Sequence, residues 1–207
     1  MKIVIFGATG GTGWEVVTQA LEAGHDVTAV ARKPSAIMIQ HERLRVLQGD
    51  VLTPETLSQA VAGQDAVVFA IGAADRSPTK IYSVGVMNVL LAMRDEKIRR
   101  LICVSASGLD PGNLVQKLIA KLILWRVFKY GYTDMFQMEV NVKASDIDWT
   151  IIRPPRLNDR ARTGKYHVAV NEQLTNGWMI SRADLADYIV KHLCDDSTYR
   201  AMVEVAY

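Results

Sequence analysis

The sequence predicts a single-domain α/β fold with a doubly wound, mostly parallel sheet and helices on both faces. Strand-like and helix-like segments alternate along the 207 residues, and parallel strands need such crossover helices. The first strand candidate is a continuous apolar run, which is typical of a strand buried on both faces. Residues 1–207 are enough for one domain with a sizeable core, so we expect one domain and no second.

The first elements follow from residue type. Residues 2–6 are mostly β-branched or aromatic and predict a strand. Residues 11–23 predict a helix that ends at Gly24, because glycine accepts the left-handed conformation found after helix ends. Residues 26–31 and 44–48 predict the second and third strands.

The alternation continues through the rest of the chain. Residues 54–62 predict a short helix with Thr53 as N-cap and Pro54 at its first position. Residues 66–71 predict a fourth strand, and residues 79–94 predict a helix. The remaining predicted elements are strands at residues 100–105, 149–152 and 201–205 and helices at residues 113–129, 134–144 and 182–193.

Residues 113–129 carry an apolar stripe at helical spacing. The stripe comprises positions 114, 115, 118, 119, 122 and 123. Core packing is the simplest interpretation, and covering a substrate pocket or a partner subunit is the alternative. Because ligands bind at the carboxyl ends of such strands, we expect the substrate-side elements within about 106–147 and 153–182.

Composition and charge argue against several kinds of partner. A formal net charge of +2 does not favour nucleic acid or an anionic membrane, and 49% apolar with 22% charged residues is typical of globular proteins. Cys103, Cys194 and the four histidines lack metal-ligand spacing, so no metal is expected. With no signal-peptide pattern, we expect a cytoplasmic monomer or homodimer that acts on a small molecule.

A glycine-rich loop joins the first strand to the first helix. It consists of Gly7, Ala8, Thr9, Gly10, Gly11, Thr12 and Gly13. Glycines allow a tight turn and bring backbone amides close to a pyrophosphate, and the helix N-terminus adds partial positive charge. Thr9 and Thr12 are expected to add hydroxyl donors. A tight turn without a ligand is the alternative, but the strand–loop–helix context predicts a Rossmann-type dinucleotide site.

The residues after the second strand predict which dinucleotide binds. An NAD site usually has a carboxylate there, whereas this chain has Arg32 and Lys33. Both cations would attract the 2′-phosphate that distinguishes NADP(H) from NAD(H). We therefore expect NADP(H) to be preferred over NAD(H), and the alternative is that both are only surface cations.

The next two strand ends supply further candidate contacts. Asp50 and Val51 follow the third strand and are expected to bond the adenine amino group and to pack on the ring, unless Asp50 only shapes the turn before Thr53. The fourth strand ends in Ala70, Ile71 and Gly72. A small residue there would let the backbone pass close to the cofactor.

Together these motifs resemble the atypical short-chain dehydrogenase/reductase group, and within it the NAD(P)H-binding proteins similar to flavin reductase/biliverdin reductase B and to NmrA. The similar segments run nearly end to end: residues 6–10, 49–51, 61–67, 77–79, 152–155, 163–166 and 180–186. The resemblance implies that the glycine loop and Thr12 hold the pyrophosphate and that Arg32 takes the 2′-phosphate. It also implies that Gly72 lies by the ribose and that Pro154 and Pro155 support the nicotinamide carboxamide.

Candidate catalytic residues are few. No tyrosine is followed by a lysine four residues later, so the Tyr/Lys pair with which typical short-chain dehydrogenases move a proton is missing. Ser105 and Ser107 end the fifth strand, where such serines face the nicotinamide in the superfamily, unless both only cap the next loop. Arg156 is a candidate for binding an acidic substrate, or else a surface arginine. Glu139 is a candidate proton donor.

These features predict an NADPH-dependent oxidoreductase. We expect it to transfer hydride to a planar conjugated acceptor, that is, a flavin, a quinone or a biliverdin-like molecule. The alternative is a non-catalytic NADP(H)-sensing regulatory protein of the NmrA-like type, because no catalytic residue is compelling. The missing Tyr/Lys pair disfavours an epimerase or dehydratase of nucleotide sugars.

Overall fold

The computed structural model describes residues 1–109, 125–174 and 177–207. Its strands in chain order are β1 Lys2–Phe6, β2 Asp26–Ala31, β3 Leu44–Gln48, β4 Ala66–Phe69, β5 Arg100–Val104, β6 Asp148–Ile152, β7 Arg156–Asn158, β8 His167–Val170, β9 Met179–Ser181 and β10 Ala201–Ala206. The helices of the described residues are α1 Gly11–Glu22, α2 Ser58–Val61, α3 Ser83–Asp95, α4 Trp125–Lys143 and α5 Arg182–Lys191.

Eight strands form one sheet in the order β3-β2-β1-β4-β5-β6-β10-β8. Neighbouring strands run parallel except β10 and β8, which run antiparallel. The winding direction reverses between β1 and β4, and ligands of such sheets bind beyond the carboxyl ends near that point. The predicted Rossmann-type, doubly wound, mostly parallel sheet is confirmed.

The sheet is covered by a helical layer on each face. Along β1, Ile3 and Ile5 pack in a core with residues of α1 and α5, whereas Val4 and Phe6 pack in a second core with residues of α2, α3 and α4. All four side chains are at most 1% exposed. Burying a side chain of this size stabilises the fold by about 1.5–3 kcal/mol, so the two cores hold the strand ends in fixed positions.

Two helix predictions in the first half of the chain are wrong in detail. Residues 54–62 form a 3₁₀ turn at Pro54–Thr56 followed by the short α2, and the Thr53 side chain caps neither. The Thr53 carbonyl instead accepts a hydrogen bond from the Thr56 hydroxyl at 2.7 Å. Helix α3 begins four residues later than predicted. The Thr79 hydroxyl accepts the Ile81 N–H at 3.2 Å, and such a local turn competes with helical hydrogen bonding.

The predicted break between two helices near residues 129–134 is present but lies slightly earlier and is shorter. Within α4, two helices meet at a kink at Phe128, whose backbone is not helical (φ −115°, ψ 19°), and the second helix begins directly after it. Burial of Met135, Met138 and Val142 in the core beside α3 outweighs the helix-weakening effect of Gly131. Residues 113–124 of the predicted apolar helix lie outside the described residues.

Three strands have no counterpart in the sequence prediction. Strands β7 and β9 have only three residues each and pair with one another. Strand β8 forms an edge of the large sheet, and its Val168 and Val170 are exposed. Elements this short or this exposed carry too little apolar pattern to be recognised.

The described segments contain neither a membrane-length apolar helix nor a metal-binding cluster. No helix within residues 1–109, 125–174 or 177–207 is long and apolar enough to cross a bilayer. The same residues include no group of three His, Cys, Asp or Glu side chains placed to hold a metal ion.

Candidate functional site

The glycine loop lies between β1 and α1 and presses against the end of β4. Gly7 has φ +89°, and a Cβ there would lie 2.4 Å from the Ala70 carbonyl oxygen. A Cβ at Gly13 would lie 2.1 Å from the Gly7 carbonyl oxygen. Side chains are therefore excluded at both positions, one by backbone conformation and contact with β4 and the other by the tightness of the turn.

The N-terminus of α1 is open to an anion. Its N-cap is Gly10, no side chain caps it, and no acidic residue lies in its first turn. Thr9, Gly10 and Gly11 are exposed, whereas Thr12 is buried at the start of the helix. The free N–H groups and partial positive charge of such a terminus suit a diphosphate, so the loop fits the predicted ligand.

Two cations stand at the end of β2. Arg32 and Lys33 are exposed, and neither forms an ion pair with another described residue. Only the backbone of Arg32 is engaged, as its carbonyl accepts from Gln48 Nε2 at 3.4 Å. Both charges are therefore available to a phosphate group near the adenosine end of the site.

In the turn after β3, Asp50 makes a local hydrogen bond, whereas Val51 is buried against α3. Asp50 Oδ1 accepts the Leu52 N–H at 2.9 Å, so this carboxylate does shape the turn. Its second oxygen has no partner within the described residues. Val51 is 5% exposed, and a Cβ added to Gly85 would lie 2.8 Å from its Cγ2. Val51 thus packs mainly against α3, and its contact with adenine stays a prediction.

The segment after β4 leads from the buried side of the glycine loop to the protein surface. Ala70 is buried under the loop, Ile71 is half-buried and Gly72 is exposed. Among the described residues, an added Cβ at Gly72 would meet no atom within 4 Å. The described part of the chain therefore leaves space beside Gly72, and its contact with the ribose stays a prediction.

A buried charge network lies below the ends of β5 and β6. Arg153 donates from Nε to Glu139 Oε1 at 2.9 Å and from Nη2 to Oε2 at 2.6 Å. The Ser105 hydroxyl donates to Glu139 Oε1 at 2.6 Å, and Lys143 Nζ lies 3.6 Å from Oε2. Burial favours a raised pKa for Glu139, but the hydrogen bonds from Arg153 and Ser105 and the charges of Arg153 and Lys143 lower the pKa overall.

This network separates the two serine candidates. Ser105 is 5% exposed and committed to Glu139. Ser107 is half-buried, and its hydroxyl has no hydrogen-bond partner in the described part of the chain. Glu139 is ionised at neutral pH because its pKa is lowered, so it is unsuited to donate a proton. Of the two serines, only Ser107 has a hydroxyl without a partner among the described residues and thus available to a ligand.

Ser107 lies beside the two prolines predicted to support the nicotinamide. Its N–H donates to the Pro154 carbonyl at 3.0 Å. Pro154 is buried and Pro155 is half-buried, whereas Arg156 is exposed at the start of β7. The structure therefore brings Ser107 and the prolines together and leaves Arg156 at the surface beyond them.

An aromatic cleft of about 320 Å³ lies beside the segment that contains Ser107. Its lining residues are Ala73, Ala74, Asp75, Arg76, Tyr82, Phe128, Gly131, Tyr132 and Met135. The rings of Phe128 and Tyr132 stack with centroids 5.8 Å apart, and Arg76 Cζ lies 5.0 Å from the Phe128 centroid. Burial raises the pKa of Tyr132, so its hydroxyl stays protonated at neutral pH.

The cleft adjoins the Ser107 segment through Tyr132. A Cβ added to Gly108 would lie 2.7 Å from the Tyr132 hydroxyl oxygen. The cleft residues were missed in the sequence because no catalytic motif contains them. The i, i+4 spacing of Phe128 and Tyr132 was the only available signal, and it indicates no more than a shared helix face.

Comparison with known proteins agrees with this geometry. A family model described as NAD(P)H-binding matches residues 7–196. A UPF0659 protein of Schizosaccharomyces pombe is 31% identical over 98% of this chain and 88% of its own length. The uncharacterised protein YwnB of Bacillus subtilis is 27% identical over 92% of this chain and 89% of its own length.

Solved structures show the same fold at low identity. A short-chain dehydrogenase/reductase from Veillonella parvula in complex with NADP has a TM-score of 0.81 and 22% identity, covering 100% of this chain and 94% of its own. A candidate NADH-flavin reductase from Streptococcus pneumoniae has a TM-score of 0.84 and 22% identity, covering 100% and 99%. The family match over most of the chain establishes that this protein belongs to the NAD(P)H-binding family.

Proposed function

We propose that this protein is an NADPH-dependent reductase that transfers hydride to a planar conjugated acceptor such as a flavin, a quinone or a biliverdin-like molecule. The observation that carries the proposal is the aromatic cleft, which adjoins the Ser107–Pro154 end of the cofactor groove through Tyr132. Its volume of about 320 Å³ suits a small flat ring system. The similarity to a candidate NADH-flavin reductase adds support.

NADPH is the expected donor because of the charges at the end of β2. Arg32 and Lys33 are exposed and lack ion-pair partners in the described residues, so a 2′-phosphate would gain two cations without displacing a carboxylate. NADH would leave both charges unused. The structure of the Veillonella parvula short-chain dehydrogenase/reductase, which has the same fold, contains NADP, and this is consistent with the preference for NADPH.

The residues of the cleft would position the acceptor. The bound nicotinamide would supply the hydride. Phe128 and Tyr132 would stack on the planar ring and exclude water, and Arg76 would add a positive charge at its edge. The Ser107 hydroxyl would hydrogen-bond the nicotinamide or the acceptor. An acceptor that takes hydride at a ring nitrogen needs one further proton, which solvent can supply, so the missing Tyr/Lys pair is no obstacle.

The cleft assignment is tested by a pair of phenylalanine variants on one helix. Phe128→Ala removes a ring that lines the cleft, and Phe136→Ala removes one that is 52% exposed and outside it. We expect Phe128→Ala to raise the KM for the acceptor by about tenfold, a stacking loss of about 1.4 kcal/mol, with the KM for NADPH unchanged. Phe136→Ala should match the unmodified protein. Equal effects of the two variants would contradict the assignment.

A further inference from the structure

An arginine from a distant part of the sequence contacts the glycine loop. Arg182 is the first residue of α5, and α5 packs along α1. A Cβ added to Gly11 would lie 2.6 Å from Arg182 Cδ and 2.8 Å from Arg182 Nε. The Arg182 side chain therefore lies directly against the first residue of α1, where the loop enters the helix.

The position of this cation is electrostatically unfavourable in the free protein. A helix N-terminus carries partial positive charge and favours anions over cations. The first turn of α1 offers no acidic side chain to offset Arg182. The partner of Arg182 is Asp159, with Nη1 and Oδ1 2.5 Å apart, but the Asp159 side chain is 85% exposed. Exposed ion pairs of this kind contribute little stability.

A bound phosphate group would offset the repulsion between the Arg182 charge and the positive end of α1. An anion at the start of α1 would be attracted both by the free N–H groups and by the guanidinium beside them. The Arg182 side chain is 31% exposed, and among the described residues only its Nη1 has a hydrogen-bond partner, so the other guanidinium nitrogens keep donors for a ligand. Gly11 contributes by lacking a side chain, since any Cβ would displace Arg182 from the loop.

We propose that Arg182 binds the diphosphate of the dinucleotide. The inference rests on the proposed cofactor site and adds to it a residue outside the glycine loop. Its role differs from that of Arg32. Arg32 would recognise the 2′-phosphate and so distinguish the two dinucleotides, whereas the diphosphate contacted by Arg182 is common to both.

Calorimetric binding measurements on four proteins test this role. The unmodified protein, Arg182→Ala, Arg182→Lys and Arg99→Ala are titrated with NADPH, NADH and 2′-AMP, which has no diphosphate. Arg99 is a matched control, because it also pairs with an aspartate, Asp148 at 3.3 Å, but immediately precedes the amino end of β5, away from the carboxyl ends of the strands. Unfolding temperatures establish that each variant is folded.

We expect Arg182→Ala to raise the Kd for NADPH and for NADH by the same factor, about tenfold or more, as for loss of a hydrogen bond between charged groups. The Kd for 2′-AMP should not change, and Arg182→Lys should recover part of the loss. Arg99→Ala should bind all three ligands normally. Unchanged dinucleotide binding by Arg182→Ala, or an equal loss for 2′-AMP, would overturn the proposal. If the unmodified protein bound neither dinucleotide, the proposed function would fail instead.

Discussion

Glu139 and Arg153 form a bidentate ion pair beneath the carboxyl ends of β5 and β6, with N–O distances of 2.9 and 2.6 Å. The Glu139 side chain is 2% exposed and that of Arg153 is 10% exposed. The Ser105 hydroxyl completes the pair by donating to the same carboxylate. Because Arg153 immediately precedes Pro154, this pair fixes the segment against which the nicotinamide is expected to lie.

Replacing Glu139 by Gln should strongly destabilise the protein. The change removes the charged partner of both hydrogen bonds that the buried Arg153 guanidinium donates to Glu139, and breaking a buried pair of this kind typically costs about 3–5 kcal/mol. Urea unfolding at neutral pH measures the loss. The double variant Glu139→Leu/Arg153→Met should be more stable than Glu139→Gln, because it removes both charges. A double variant less stable than the single one would show that the pair itself contributes the stability.

The same carboxylate predicts a dependence of stability on pH. The pKa of Glu139 is lower in the folded protein than the ordinary value of about 4.3, so its contribution is fully present above that value. The contribution is lost as the pH falls through the folded-state pKa. The difference in unfolding free energy between the unmodified protein and Glu139→Gln should therefore shrink below about pH 4. A difference that stayed constant from neutral to acidic pH would contradict a lowered pKa.

Ser105 should contribute to stability and Ser107 to turnover. Ser105→Ala removes a hydrogen bond to a buried carboxylate and should lower the unfolding free energy by about 1.5–3 kcal/mol. Ser107→Ala should change stability by less than about 0.5 kcal/mol, because its hydroxyl has no partner in the described residues, and should instead lower kcat with the acceptor. Urea unfolding and steady-state kinetics on both variants measure the two effects. A lower kcat in Ser105→Ala at unchanged stability would reverse the assignment.

Arg32 should determine the preference between the two dinucleotides. Arg32→Glu replaces a cation by a carboxylate that repels the 2′-phosphate, so the Kd for NADPH should rise by about 10- to 100-fold, and that for NADH much less. Calorimetric titration with each dinucleotide measures the ratio. Arg45→Glu is the control, because Arg45 is exposed near the amino end of β3, away from the carboxyl ends of the strands. Equal weakening of both dinucleotides would refute the phosphate assignment.

The parts of the structure that the sequence predicted correctly depend on local pattern. The apolar run of β1 and the spacing of Gly7 and Gly13 are contained within the first residues of the chain, and together they specify the strand, the turn and the helix. The alternation of strands and helices then specifies the sheet. Exposed or very short strands such as β7 and β8 lack that pattern, and they were missed.

The parts that were missed depend on contacts between distant residues. Ser105 and Glu139 are 34 residues apart, so nothing near Ser105 in the sequence shows that its hydroxyl is already occupied. The contact of Arg182 with Gly11 joins the two ends of the chain through the packing of α5 on α1. The aromatic cleft brings Phe128, at the kink of α4, together with residues about 50 positions earlier, and Phe128 is neither a proline nor a glycine that would indicate a kink in the sequence.

The most direct test of the account is one experiment on the unmodified protein. NADPH is titrated by calorimetry, and oxidation of the bound NADPH is then followed by its near-ultraviolet absorbance after addition of FMN, a quinone or biliverdin, with NADH in parallel. We predict tight binding of NADPH, weaker binding of NADH, and oxidation with at least one of the planar acceptors. Tight binding without oxidation by any of them would contradict the reductase and favour an NADP(H)-sensing protein.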